Sequence, residues 1–217
     1  MTDPGRTASA ALGAALALTA LAPAPGPAFA SGDPTAPPPE SVTVTLRAGN
    51  GTGCPPGTEE FSVDPQSHAF TIKPTRLRAR AGGTAEPTAR RARCTSLVRI
   101  TAPPEFTYAI ISADHFGLAD LKPGASGRLQ YQQDFLGNAM VAFSHVINGP
   151  AADNWQFGDY VDITRRLYRP CSGSGDAQIS LDLIADLGTS DRSQESLMQM
   201  DAAKGSTFKL EWKRCRT

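Results

Sequence analysis

From Ser41 onward the apolar side chains recur every second residue. Val42, Val44 and Leu46 alternate with Thr43, Thr45 and Arg47, and Ile179, Leu181 and Leu183 alternate with Ser180 and Asp182. Phe208, Leu210 and Trp212 alternate with Lys209, Glu211 and Lys213. In an extended chain successive side chains point to opposite faces, so each run predicts a strand with one buried face. Further strand-like runs cover residues 60–63, 69–72, 95–101, 106–112, 127–135, 139–147, 160–167 and 196–200, several of them bounded by Gly, Pro, Asn or Asp. Leu136-Gly137-Asn138 predicts a hairpin turn. Helical periodicity is nowhere sustained, and residues 193–203 are the best helical candidate. About ten short strands with turns between them predict an all-β fold, an antiparallel β-sandwich that is jelly-roll-like or barrel-like. It is expected to occupy residues 41–217 as a single domain.

The first thirty residues follow another logic. Arg6 is followed by an apolar stretch at 8–22, then by the breakers Pro23, Pro25, Gly26 and Pro27, then by Ala28-Phe29-Ala30. Charge, apolar core and small-residue exit predict an export signal over residues 1–30. The apolar core falls short of the ~20 residues that span a bilayer. Residues 31–40 are proline-rich and predict an extended or disordered leader.

Export delivers a chain to an oxidising space. Cys54, Cys94, Cys171 and Cys215 all follow the signal, so two disulfides are expected. None forms a Cys-x-x-Cys pair, which excludes zinc knuckles and thioredoxin-like chemistry. Four cysteines allow three pairings. Loops of moderate length are worth roughly 4 kcal/mol each in the chain-entropy model, which does not choose among them.

The 217 residues carry 21 basic and 21 acidic side chains. Losing residues 1–30 removes one of each, Asp3 and Arg6, so the balance persists. No global field draws the chain to nucleic acid or to an anionic membrane, and no later apolar run is long enough to span one. Charge is concentrated locally instead. Lys73, Arg76, Arg78, Arg80, Arg90, Arg91 and Arg93 are offset only by Glu86. Alternation of Arg76, Arg78 and Arg80 would place three guanidinium groups on one strand face, suited to the phosphates or sulfates of an envelope polymer or glycan. The plainer reading is a solvated edge strand whose charges block sheet-to-sheet association.

Catalytic signatures are sparse. His145 shares the apolar parity of Val141, Phe143 and Ile147, which predicts a hydrogen-bonded core histidine. Asp114 and His115 fall in a predicted turn and form a candidate polar site for acid–base work or a metal; the ordinary explanation is a turn-capping Asp beside a surface His. No Gly-x-Ser-x-Gly elbow and no His-Glu-x-x-His motif is present. Two aspartate sets, Asp182 with Asp186 and Asp191, and Asp153 with Asp159 and Asp162, match no calcium loop. No cofactor or metal is therefore expected. Trp155, in a predicted loop over residues 154–158, is a candidate for stacking against sugars, whereas Trp212 is predicted to be core. Asn50-Gly51-Thr52 is a glycosylation sequon.

Several segments together resemble a known secreted family. They are Gly53-Cys54-Pro55, Cys94 opening a strand, Tyr108 followed by Ser112-Ala113-Asp114-His115-Phe116-Gly117, and Pro170-Cys171 with its glycine-rich sequel. The strand Ile179 to Leu183 and the terminal Leu210-Glu211-Trp212-Lys213-Arg214-Cys215 complete the set. In order and spacing they resemble the family catalogued as domain of unknown function 4360, from about Gly53 to Cys215. Arg93 stands where members often carry Asn, and Leu167-Tyr168-Arg169 where they often carry Trp. The resemblance implies export, a β-rich fold and the pairings Cys54–Cys94 and Cys171–Cys215. It implies no activity. The expected function is that of a secreted, disulfide-stabilised binding or structural module of the extracellular or envelope space. The alternative is an extracellular hydrolase with an unrecognised site.

Overall fold

The computed structural model describes residues 36–37, 39–135, 140–171 and 176–216. The predicted export signal, the Leu136-Gly137-Asn138 turn and the glycine-rich sequel of Cys171 lie outside the described residues. So does most of the leader, whose end forms a 3-10 turn at Pro39–Ser41.

Twelve strands follow among the described residues: β1 Thr43–Asn50, β2 Glu59–Val63, β3 Phe70–Pro74, β4 Arg78–Ala81, β5 Arg91–Thr101, β6 Phe106–Leu121, β7 Ser126–Phe135, β8 Val141–Asn148, β9 Ala151–Tyr160, β10 Ala177–Asp186, β11 Ser196–Met200 and β12 Ser206–Arg214. They build two antiparallel sheets packed face to face. The first has the order β1-β5-β10-β7-β8. The second is organised by β6, whose 16 residues pair with β12 over Phe106–His115 and with β11 over Gly117–Asp120. Its other edge pairs with β9 over Ser112–Leu121. β3 and β2 extend the sheet beyond β12, and β4 extends it beyond β11.

The period-two rows face each other and make the core. Ile179, Leu181 and Leu183 of β10 are buried, as are Val98 of β5, Leu129 and Tyr131 of β7, and Phe208 of β12. Phe208 stacks on Phe70 with ring centroids 5.1 Å apart, and Tyr131 reaches Phe208 from the opposite sheet at 5.7 Å. Burial of such rows is the main stabilising term of a sandwich. Residues Pro34–Thr217 form one compact unit.

The strand predicted at residues 196–200 is present as β11, where Ser196, Met198 and Met200 point inward at period two and both edges are paired, with β4 and β6; the helical alternative over 193–203 is not realised. Two local expectations are corrected. Residues 160–167 are not a strand. The chain leaves β9 at Tyr160 and forms a 3-10 turn at Ile163–Arg165, where Asp162 accepts a hydrogen bond from the Thr164 backbone N–H. The segment around Trp155 is not a loop but the middle of β9, with Trp155 opposite Gly117.

Candidate functional site

The arginine cluster is split between the two sheets and then gathered again at one edge. In and before β4, Leu77, Ala79 and Ala81 turn inward and are buried. The same alternation sends Arg78 and Arg80 outward, with Arg76 in the turn before them. β1 pairs with β5 only as far as Thr95, so Arg91–Cys94 run past it. A short 3-10 turn, Pro87–Arg90, carries the chain from β4 back to β5. The result is a groove of about 360 Å3. Arg76, Arg78 and Arg80 line it from one sheet and Arg91 and Ala92 from the other, with Thr52, Pro55, Thr88 and Ala89 between them.

These arginines are not equivalent. Arg91 and Arg93 both close on Asp182 of β10. Arg91 Nη2 lies 2.6 Å, and Arg93 Nη2 2.7 Å, from Asp182 Oδ2. Asp182 belongs to the outward row of β10, yet it is only 3% exposed because the two guanidinium groups cover it. Burial pushes its carboxyl up, but the hydrogen bonds and charges of the two arginines outweigh this and hold it below the ordinary carboxylate range. Arg80 stands 3.5 Å from Glu195, and both are more than a third exposed. Water screens such a pair strongly. Arg76, Arg78 and Arg90 are exposed and have no carboxylate partner among the described residues. The groove therefore concentrates uncompensated positive charge on a chain whose net charge is zero.

Asp114 and His115 do not form the expected turn. They lie within β6 and point to opposite faces. Tyr108 and Ile110 face inward, and strict alternation would bring Asp114 inward with them. A β-bulge at Ile111, where Lys209 pairs with Ser112 and Leu210 with Ile110, inserts one residue and reverses the parity. His115 is thereby wholly buried, while Asp114 faces solvent 3.9 Å from Lys209 Nζ.

The buried imidazole anchors a polar line through the core. His115 Nδ1 is 2.8 Å from Ser206 Oγ. His115 Nε2 is 3.3 Å from Asp159 Oδ2, though not aligned as a hydrogen bond. Asp159 Oδ1 accepts a 2.8 Å hydrogen bond from His145 Nε2 of the facing sheet. His145 thus has the inward, hydrogen-bonded placement its parity predicts, with Phe157 stacked on its ring at 4.4 Å. Hydroxyl, imidazole and carboxylate stand in the order that activates a nucleophile. Ser206 and His115 are, however, both 0% exposed, so the set presents no nucleophile to a substrate arriving from solvent. Burial also pushes the His115 pKa down, against the pull of Asp159. Sequence reading missed Ser206 and Asp159 as partners because they are distant in the chain.

The remaining candidates resolve simply. Disulfides join Cys54 to Cys94 and Cys171 to Cys215. Trp155 is 7% exposed, so it offers no open platform for a sugar. The aspartates of the two calcium sets serve local structure. Asp186, Asp191 and Asp162 accept backbone N–H groups two residues ahead, while Asp182 and Asp159 take arginine and histidine. Among the described residues, the only group with three potential metal ligands in reach of one another is Cys54, Glu59 and Cys94, and the disulfide occupies both of its sulfurs. Asn50 is exposed at the end of β1.

The chain belongs to the family described as Domain of unknown function (DUF4360), whose model matches residues 40–215. It is similar to an uncharacterized secreted protein of Arthroderma benhamiae, with 25% identity over 190 residues covering 85% of this chain and 76% of that protein. With two disulfides and this secreted relative, the protein is extracellular. No helix among the described residues is long and apolar enough to cross a membrane. Among solved structures, TmCBM61 in complex with beta-1,4-galactotriose aligns with a TM-score of 0.30 and 5% identity over 80% of this chain and 88% of that one. The enzymatically active domain of bacteriophage CBA120 tailspike protein 4 aligns with a TM-score of 0.22 and 11% identity over 82% of this chain and 20% of that one. Both likenesses are too distant to bear on fold or function.

Proposed function

We propose that the protein is an extracellular binding module that takes polyanions in the groove between β4 and β5. One observation carries this reading: Arg76 and Arg78 stand exposed at a shared groove, with no carboxylate to neutralise them among the described residues. Guanidinium groups present a fork of donors that matches carboxylate, sulfate and phosphate oxygens. A structural edge strand would need the charges but not the concavity. The hydrolase alternative rests on the Ser206–His115–Asp159 line, which is closed to solvent.

The test is binding of the oxidised protein to labelled polyphosphate and to heparin across a salt series. Affinity is expected to fall steeply between about 50 and 200 mM salt. Replacing Arg76 and Arg78 together with Gln should weaken binding by about tenfold or more and flatten the salt dependence. Absence of binding to either probe, or binding that ignores salt, refutes the proposal.

A further inference from the structure

A second cavity, of about 480 Å3, lies on the other side of Arg80. The two cavities share that side chain and flank the same short turn: Thr88 and Ala89 line the first, Pro87 and Arg90 the second. Their chemistry differs. The first is lined by four arginines and no carboxylate. In the second, Arg80, Arg90 and Arg192 face Asp186 and Glu86 beside the apolar Leu187. Asp186 Oδ1 accepts the Gly188 backbone N–H at 2.9 Å, which fixes the carboxylate in place. Arg90, Arg192 and Glu86 are exposed and make no ion pair among the described residues.

Resting on the polyanion reading, we infer that the two cavities form one extended site for an acidic polysaccharide whose anionic groups are separated by neutral, hydroxyl-rich units. A polymer charged at every unit would set some of its charges against Asp186 and Glu86, and that juxtaposition repels. Nucleic acid is such a polymer, with one charge per ~3.4 Å of each strand. A neutral sugar unit suits the mixed cavity instead. Its hydroxyls donate to the two carboxylates and accept from Arg90 and Arg192, and its C–H face packs on Leu187. The next unit's carboxylate or sulfate then reaches Arg76 and Arg78. Both volumes fall within the roughly 300–1,000 Å3 usual for small-ligand sites.

The experiment compares two probes at fixed ionic strength: hyaluronate oligosaccharides, with one carboxylate on every second sugar, and polyphosphate of similar length. The unmodified protein is expected to bind hyaluronate at least as tightly as polyphosphate, despite its lower charge density. Removing the carboxylates with D186N and E86Q should strengthen polyphosphate binding and weaken hyaluronate binding, moving the preference by about fivefold or more. R76Q with R78Q should weaken both probes. Thermal melting checks that each variant remains folded. If polyphosphate wins and D186N with E86Q leaves the ratio unchanged, the spaced-charge site is refuted, while the polyanion reading stands as long as R76Q with R78Q still weakens binding. If neither probe binds, or if R76Q with R78Q has no effect, both readings fall.

Discussion

The hydrogen bond from His145 Nε2 to Asp159 Oδ1, 2.8 Å long, joins β8 at the edge of one sheet to β9 at the edge of the other. Asp159 also faces His115, which is wholly buried and whose pKa burial depresses. The unfolded imidazole takes up a proton near its ordinary pKa of ~6.5, whereas the folded one resists it. Stability must therefore fall as pH drops below that value, with a limiting slope of about 1.4 kcal/mol per pH unit for the one proton. Glu59 acts oppositely: burial raises its carboxyl pKa, so the contribution it makes is lost as pH rises. Urea unfolding at pH 7.5 and 5.5 should show a lower midpoint at 5.5, and His115→Gln should flatten the difference. An unchanged pH dependence in that variant would count against this account.

Asp182→Asn separates stability from binding. Losing the charge beneath Arg91 and Arg93 should cost about 1–3 kcal/mol, less than for a fully buried pair because both guanidinium groups are half exposed. The same change releases Arg91 toward the groove it lines. Polyanion affinity is expected to rise while the unfolding midpoint drops, and titration calorimetry beside chemical denaturation measures both.

Gly117 is required by Trp155. A Cβ at this position would lie 2.0 Å from Trp155 Cζ2 and 2.3 Å from the Gln199 carbonyl oxygen. The Gln199 backbone is held in β11 and cannot yield, so Gly117→Ala should destabilise by about 1–3 kcal/mol through overpacking. Near-ultraviolet circular dichroism should change as the indole shifts. A neutral substitution would show that β9 packs more loosely than the structure indicates.

The cross-links close loops with sequence separations of 40 and 44 residues. Replacing either pair with alanine should cost roughly 4 kcal/mol. Since the two loops do not overlap, the losses should be nearly additive in denaturant titrations.

The core rows of β10 and β12 were readable because burial on one face writes itself as alternation. Two features were not. The bulge at Ile111 leaves no mark of its own, yet it decides that His115 rather than Asp114 enters the core. The burial of Asp182 depends on its register opposite Arg93, and neither residue announces that pairing. β9 did carry a signal, since Trp155, Phe157 and Asp159 alternate inward. Polar outward neighbours, usual at an edge, made the segment read as a loop. The arginine cluster was plain from composition, but its division into charge-paired and unpaired members needed the fold.

The cross-links also decide how the molecule would bear tension. A pull on its two ends runs from the N-terminus to Cys54, across to Cys94, along the backbone to Cys171, across to Cys215 and out. Residues between Cys54 and Cys94 and between Cys171 and Cys215 lie off that load path. Arg76, Arg78, Arg80, Arg90, Arg91 and Arg93 sit in the first sheltered loop, and Asp182, Asp186 and Arg192 in the second. Mechanical strain would lengthen the chain between β5 and β9 without first drawing out the segments that carry these side chains.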